Sequence, residues 1–474
     1  MTPREARLHF VGIGGAGMSA IAEILLHRGY EVSGCDLRES KVLRRLRALG
    51  AQVWIGQSPD HLAHADVLVY SRAVGGQNDE IRAARERGLP LRHRAEMLGE
   101  IMRSGRGVAV VGTHGKTTTT AMLTRILTAA GLDPTALIGA EVPELGSNAR
   151  AGSGPWVVAE VDESDGSLLR VAPWAAVLTS LDVTDHRDFY ATAAQLAGTF
   201  EQFLQSVALE GFIVVCADHP GARALAEGLG RPVITYGFDP AAAVRAEMRA
   251  IEGHTTRASL MLGGRHAGEL ALQVPGRHNV SNATGAIAAA LQIGVPVGTA
   301  VEALATFRGA SRRFEVRGEA DGVLVVDDYA HNPVKVAAVL RAAREGWPQH
   351  RVIALFQPHR FSRTITTHTE YAHAFDAADE VVITDIYAAD ERPQPGVTAQ
   401  LIVDTVAAHR PVHYRATTEA ALDLVEALAL PGAIVLTLGA GDIWHAGDAL
   451  LRRLAARTSR GVSAPAAESR SAGT

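Results

Sequence analysis

The residues best equipped for chemistry gather in two glycine-rich turns. In one of them, Val111-Gly112-Thr113-His114-Gly115-Lys116-Thr117-Thr118, a strand-like run gives way to a helix-like one. Backbone N–H groups of such a turn surround phosphate oxygens, a lysine reaches the terminal phosphate, and a hydroxyl such as that of Thr117 can ligate Mg²⁺. The strict phosphate-loop spacing needs glycine at position 110, where Val110 stands, so the turn is a shortened G-x-x-G-K-T form. Lysine usage adds weight to Lys116. Lysine and arginine total 46, yet the only lysines are Lys41, Lys116 and Lys335.

The other turn, Gly12-Ile13-Gly14-Gly15-Ala16-Gly17, fits G-x-G-x-x-G between a strand at residues 8–11 and a helix through 21–26. Glycines let backbone approach a pyrophosphate, whose charge the helix N-terminus favours. Asp36, at the end of the second strand, stands where an acid would meet a ribose. The motif alone does not separate NAD from a UDP-sugar. An NAD-dependent oxidoreductase would need this turn only, and would leave Lys116 without a task. Coupling a nucleotide-tagged substrate to ATP needs both turns.

Other charged groups are ambiguous by themselves. Glu160-Val161-Asp162-Glu163-Ser164-Asp165 follows a strand and could hold Mg²⁺, but an isolated acidic run is more often a solvated loop. His186, in Asp185-His186-Arg187-Asp188, is a weak ligand candidate alone, since Mg²⁺ prefers oxygen. Two later strands close on Asp327-Asp328-Tyr329-Ala330-His331-Asn332-Pro333 and Gln357-Pro358-His359-Arg360-Phe361-Ser362-Arg363. Arg360 and Arg363, spaced i, i+3, would share one face if a helix starts at Phe361, and could pair with a carboxylate. Arg312-Arg313-Phe314 is open to either reading in an arginine-rich chain.

The elements that must place these groups alternate short apolar runs with helical periods, an α/β pattern throughout. The 474 residues suggest three domains: 1–106, Rossmann-like; 107–310, P-loop ATPase-like with a mainly parallel sheet; and 311–457, again Rossmann-like. Strands are expected at 67–70, 108–111, 156–160, 176–179, 212–216, 323–327, 352–356, 380–384 and 433–438, with helices from about Thr117, over 281–292 and near 299–306. Residues 458–474, rich in Ser, Ala and Gly, read as a disordered tail. A net charge of −5 gives no basic field for nucleic acid. Two cysteines, Cys35 and Cys216, offer no disulfide framework. No apolar run spans a bilayer and no signal peptide opens the chain, so a cytoplasmic location is expected.

Seven segments in order resemble the Mur ligase family of peptidoglycan synthesis: GIGGAGMS from Gly12, GTHGKTTT from Gly112, EVDESD from Glu160, GRHNVSNA from Gly276, SRRFE from Ser311, DDYAHNP from Asp327 and QPHRFSRT from Gln357. The likeness runs over residues 7–453. It implies an ATP-dependent carboxylate–amine ligase that joins L-alanine to UDP-N-acetylmuramate through an acyl phosphate and a tetrahedral intermediate. The His114 turn and the DESD run favour this alanine-adding member over a relative that attaches a whole tripeptide. Gly12, Gly14, Gly15, Gly17, Met18, Ser19, Asp36 and Ser71 would serve the UDP-sugar. Gly112, Thr113, His114, Gly115, Lys116, Thr117, Thr118, His278, Asn279, Arg313 and Asp328 would serve ATP. Thr117, Glu160 and His186 would hold Mg²⁺, and Lys116, Glu160, His186, His331 and His359 would be catalytic. Tyr329, His331, His359, Arg360 and Arg363 would surround alanine. A monomer or homodimer is expected. Departures are Arg72 where a second serine is usual, Ser180 for a usual asparagine, and one extra residue between Glu160 and His186.

Several family members carry a carbamoylated lysine beside a metal. No lysine lies between Lys116 and Lys335 here. Ligation is therefore expected to be independent of added bicarbonate, checked by rates in CO₂-stripped and bicarbonate-supplemented buffer.

Overall fold

A computed structural model describes residues 6–75, 77–182, 189–389 and 391–461, the last four without their side chains. Three sheets, one for each expected domain, fall into two compact units, residues 1–311 and 312–474.

The first unit opens with a five-stranded parallel sheet in the order Gln52–Ile55, Glu31–Asp36, Arg7–Val11, Val67–Tyr70, Leu91–His93. The first strand, Arg7–Val11, is central and buried after Arg7, as expected when helices cover both faces of a parallel sheet. Its C-terminal end feeds the first glycine turn and the helix Ala16–His27.

A ten-stranded sheet fills the rest of that unit. Its parallel centre places Arg106–Val111 between Trp156–Glu160 and Ala175–Leu178. Val108 to Val111 are fully buried, which fixes the strand that ends in the second turn. The helix Lys116–Ala129 leaves that turn. Along it the buried Thr120 and Thr124 donate their hydroxyls to the carbonyls of Lys116 and Thr120, satisfying polar groups that would otherwise be stranded in the core.

Two antiparallel additions were not among the expected strands. One is the hairpin Thr135–Val142 with Ser147–Arg150; the other is the meander Val244–Glu252, Thr255–Leu262, Arg265–Leu272. The hairpin binds the first two blocks into one unit. Arg45 donates to Glu23, to the Gly146 carbonyl and to Asn148 Oδ1, Ser147 Oγ donates to Glu23, and Asn148 donates to the Ala16 carbonyl.

The second unit holds a six-stranded sheet in the order Glu315–Ala320, Val323–Asp328, Ala433–Leu438, Arg351–Phe356, Glu380–Ile383, His413–Tyr414. Only the first pair is antiparallel. Two boundaries need correction. The helix expected over 281–292 runs Arg277–Ile293, because Gly276 (φ +99°) can start it earlier than the apolar period shows. The final helix Trp444–Gly461 continues past residue 458, since neither proline nor glycine stands between Gly447 and Gly461.

Glu23 is buried beside Arg45 at 3.1 Å and Ser147 at 2.8 Å. Glu23→Ala leaves the guanidinium short of its counter-charge, so a loss of about 1.5–3 kcal/mol is expected in urea unfolding, with Glu23→Gln losing less.

Candidate functional site

The first turn is shaped by backbone and one acid. Gly12 sits at φ +74°, and the amides of Gly12 and Ile13 both donate to the Cys35 carbonyl. Asp36 Oδ2 accepts from the Gly14 amide at 2.9 Å, and a Cβ at Gly14 would stand 2.7 Å from that oxygen. Asp36 thus braces the turn itself. The side chains of Met18 and Ser19 are buried behind the turn, with Ser19 Oγ donating to the Ala16 carbonyl. Ser71 follows the strand Val67–Tyr70. Beside it a cleft of about 400 Å³ is lined by Tyr70, Arg72, His93, Asp165, Arg170 and Phe189, among others. Arg72, the atypical residue, lies 4.5 Å over the Phe189 ring.

The second turn is built to the same end with different parts. Gly112 (φ +132°) and Gly115 (φ +81°) adopt backbone that side chains resist, and a Cβ would stand 2.3 Å from Thr179 Oγ1 or 2.4 Å from Asn282 Oδ1 respectively. Ser180 takes up the turn, accepting from the His114 amide through its hydroxyl (2.8 Å) and from the Thr113 amide through its carbonyl. His114 Nε2 is 3.4 Å from Asp182. Thr117 and Thr118 are buried at the helix start. Asn279 Nδ2 donates to the Pro275 carbonyl, and burial pushes the neighbouring His278 down to about 4.

Lys116 Nζ donates to the Gly112 carbonyl at 2.6 Å and to both Glu163 oxygens at 2.8 and 2.7 Å. Burial works to discharge it, but Glu163, Asp162 and Glu160 outweigh burial and raise its pKa. Glu160 Oε2 accepts from the Gly139 amide at 2.8 Å. Asp162 is paired at 2.9 Å with Arg94, whose Nη1 would lie 3.2 Å from a Cβ at Gly17. One arginine therefore spans from the first turn to the acid run of the second. Glu160, Asp162 and Glu163 stand against the two cations Lys116 and Arg94, and the remaining negative charge with a nearby threonine hydroxyl suits Mg²⁺. Glu160 and Thr117 would hold the ion, which would neutralise phosphate charge. His186 lies outside the described residues.

In the second unit the expected groups collect at the C-terminal ends of Val323–Asp328 and Arg351–Phe356, which flank Ala433–Leu438. Ligands gather at such ends in open α/β sheets. Asp328 accepts from the Phe314 and Ala330 amides at 2.8 and 2.7 Å, and burial pushes it up to about 6 against the pull of Arg313. Arg313 lies 4.9 Å from the Tyr329 ring. His331 Nδ1 is 2.8 Å from the Tyr329 carbonyl and must be the donor, which leaves Nε2 as the accepting nitrogen of the neutral ring. Burial, then Arg363, Lys335 and His359, hold its pKa well below the ordinary value. His359 Nδ1 accepts from Arg363 at 3.1 Å, and its ring stacks on Tyr387. The helix Phe361–Thr367 starts one residue after Arg360, which is held at φ +69° with its amide on the Tyr387 carbonyl. Backbone strain at a cluster of chemical groups is typical of functional sites.

Arg94, Glu163, Asn282 and Tyr387 belong to these clusters and were not singled out as site residues. Glu163 and Asn282 lie within quoted motifs. Arg94 and Tyr387 stand in plain helix and loop sequence with no local signal.

Family models cover nearly the whole chain: "Mur ligase family, catalytic domain" over residues 7–106, "Mur ligase middle domain" over 110–290, and "Mur ligase, glutamate ligase domain" over 312–441. The chain belongs to the Mur ligase family. It is 45% identical over 451 residues to the UDP-N-acetylmuramate–L-alanine ligase of Trichlorobacter lovleyi, covering 94% of this chain and 99% of that protein. It is 46% identical to the enzyme of that name from Solidesulfovibrio magneticus, with coverage of 94% and 98%. Among solved structures, the UDP-N-acetylmuramate–alanine ligase of Thermotoga maritima superposes with a TM-score of 0.81 at 29% identity, covering 96% of this chain and 100% of that one. A murein peptide ligase from Psychrobacter arcticus shares the fold, with a TM-score of 0.70 at 23% identity, covering 95% and 99%.

A Cβ at Gly139 would stand 2.2 Å from Glu160 Oε2. Gly139→Ala is expected to turn that carboxylate aside and raise the Mg²⁺ concentration for half-maximal turnover about tenfold or more, the cost of re-aiming a group that touches a metal. The melting temperature should scarcely move, because a flexible side-chain end gives way. Metal titrations and thermal melts check both.

Proposed function

We propose that this chain is an ATP-dependent ligase joining L-alanine to the carboxylate of UDP-N-acetylmuramate, a step in making peptidoglycan precursors in the cytoplasm. The observation that carries the reading is the pair of glycine turns within one compact unit, linked by Arg94, the second of them holding Lys116. Extended identity to relatives bearing that enzyme name supports the choice of substrates. Residues 1–106 would take the UDP-sugar, 107–310 ATP with Mg²⁺, and 311–457 the amino acid. No helix among the described residues is long and apolar enough to cross a membrane. The working form is a monomer or homodimer.

The chemistry follows from the groups at hand. A carboxylate is a poor acyl donor, and phosphorylating it with ATP makes it a good one. Lys116 would counter charge on the moving phosphoryl group. Arg360 and Arg363 would pair the alanine carboxylate, which must not lie buried without a counter-charge. The accepting nitrogen of His331 would take a proton from the amine, whose lone pair then attacks the acyl phosphate. The tetrahedral intermediate collapses to amide and phosphate. Phosphate release with UDP-N-acetylmuramate, ATP and Mg²⁺ should be stimulated by L-alanine and not by a tripeptide. Stimulation by the tripeptide instead would assign the chain to peptide recycling.

Arg360→Ala and Arg363→Ala are each expected to raise the KM for L-alanine roughly 30-fold or more, as truncating a buried charged bond costs about 2–5 kcal/mol. The KM values for ATP and the UDP-sugar should change little. Kinetics with each substrate varied in turn checks this, and a change confined to ATP would reassign both arginines.

A further inference from the structure

An ammonium has three N–H donors. Those of Lys116 are matched by three acceptors, the Gly112 carbonyl and the two oxygens of Glu163. Glu163 is fully buried, its backbone carbonyl accepts from the Tyr190 hydroxyl at 2.7 Å, and the next residue back, Asp162, is held by Arg94 and by Ser164 Oγ, each at 2.9 Å. The backbone that carries this carboxylate is thus fixed on both sides, and the carboxylate itself is set against Lys116. For Lys116 to bond a phosphate oxygen, one of these three bonds must be given up, two of the three being to Glu163, and the triphosphate must also approach a carboxylate of its own sign. Three acids around one ammonium make both effects stronger in a dry site.

We propose that Glu163 is a positioning residue that parks Lys116 when no nucleotide is bound and competes with the terminal phosphate of ATP for it. The inference rests on the reading of Lys116 as the ATP lysine. Its effect is to hold nucleotide affinity below what the turn alone would give. Its place beside Asp162 and Arg94 connects the parking site with the first turn at Gly17, the side from which the sugar nucleotide would come.

The test uses the full chain and the non-hydrolysable analogue β,γ-imido-ATP with Mg²⁺ in titration calorimetry. Glu163→Gln is expected to bind it about tenfold more tightly, the scale of one charge-assisted bond released from competition. Glu163→Asp, which keeps the charge, should stay near wild type. In steady state the KM for ATP should fall in Glu163→Gln without a rise in kcat, and phosphate release in the absence of L-alanine should increase. Unchanged or weaker binding by Glu163→Gln would overturn the parking role. Lys116→Ala separates the two claims. If it loses the analogue while Glu163→Gln changes nothing, parking alone fails. If it binds as wild type does, the nucleotide reading fails and parking with it. A measurement on the unaltered protein guards against misfolding of the variants. With ¹⁵N-lysine labelling only three side-chain ammonium signals are possible. The Lys116 signal, identified by its loss in Lys116→Arg, should shift when the analogue is added, and a signal that stays put would mean that Lys116 never leaves Glu163.

Discussion

A charged amine buried at the end of a strand must find its counter-charge nearby, and much of the first unit is arranged around that need. The ammonium of Lys116 cannot be neutralised by water, so acids are brought to it from a neighbouring strand end. Those acids in turn must be kept from one another. Glu160 leans on the Gly139 amide, Asp162 on Arg94 and Ser164, and Glu163 on the lysine itself. Glycine at 139 then follows as a steric requirement, because a methyl group there would strike Glu160, while at 112 and 115 it would strike Thr179 and Asn282 beside the turn that carries the lysine.

A second set of polar contacts joins two blocks that read as separate domains into one compact unit. A helix that starts at one glycine turn is gripped by a hairpin from the second sheet, through Glu23, Arg45 and Asn148. Arg94 makes a second link from the opposite end of the first block. Both links are charged or carbonyl-directed, so they fix orientation more firmly than apolar contact alone would, since each bond has a required direction.

Much of this was legible beforehand, and what was not has physical reasons. Each glycine turn lies where a buried apolar run meets a helical period, and both signals are local. The strand ends near Asp328 and at Phe356 were equally plain, while a helix from Phe361 was only a condition for pairing Arg360 with Arg363 and is present. The meander Val244–Leu272 was missed although Gly263-Gly264 marks its turn, because its flanking residues mix arginine and glutamate with apolar positions and blur the alternation. Arg94 was missed for a deeper reason. Its partner Asp162 is 68 residues away, and no periodicity records such a meeting. Asp36 was singled out by its spacing alone, and the bond its carboxylate makes to the Gly14 amide could not be read from that spacing.

The single accepting nitrogen of His331 has a consequence for the direction of proton flow. Its other nitrogen is committed to the Tyr329 carbonyl, so a proton can arrive on one side of the ring only. Once protonated, the imidazolium would stand among Arg363, Lys335 and His359, a neighbourhood that repels positive charge. Such a group passes a proton onward quickly and does not store it.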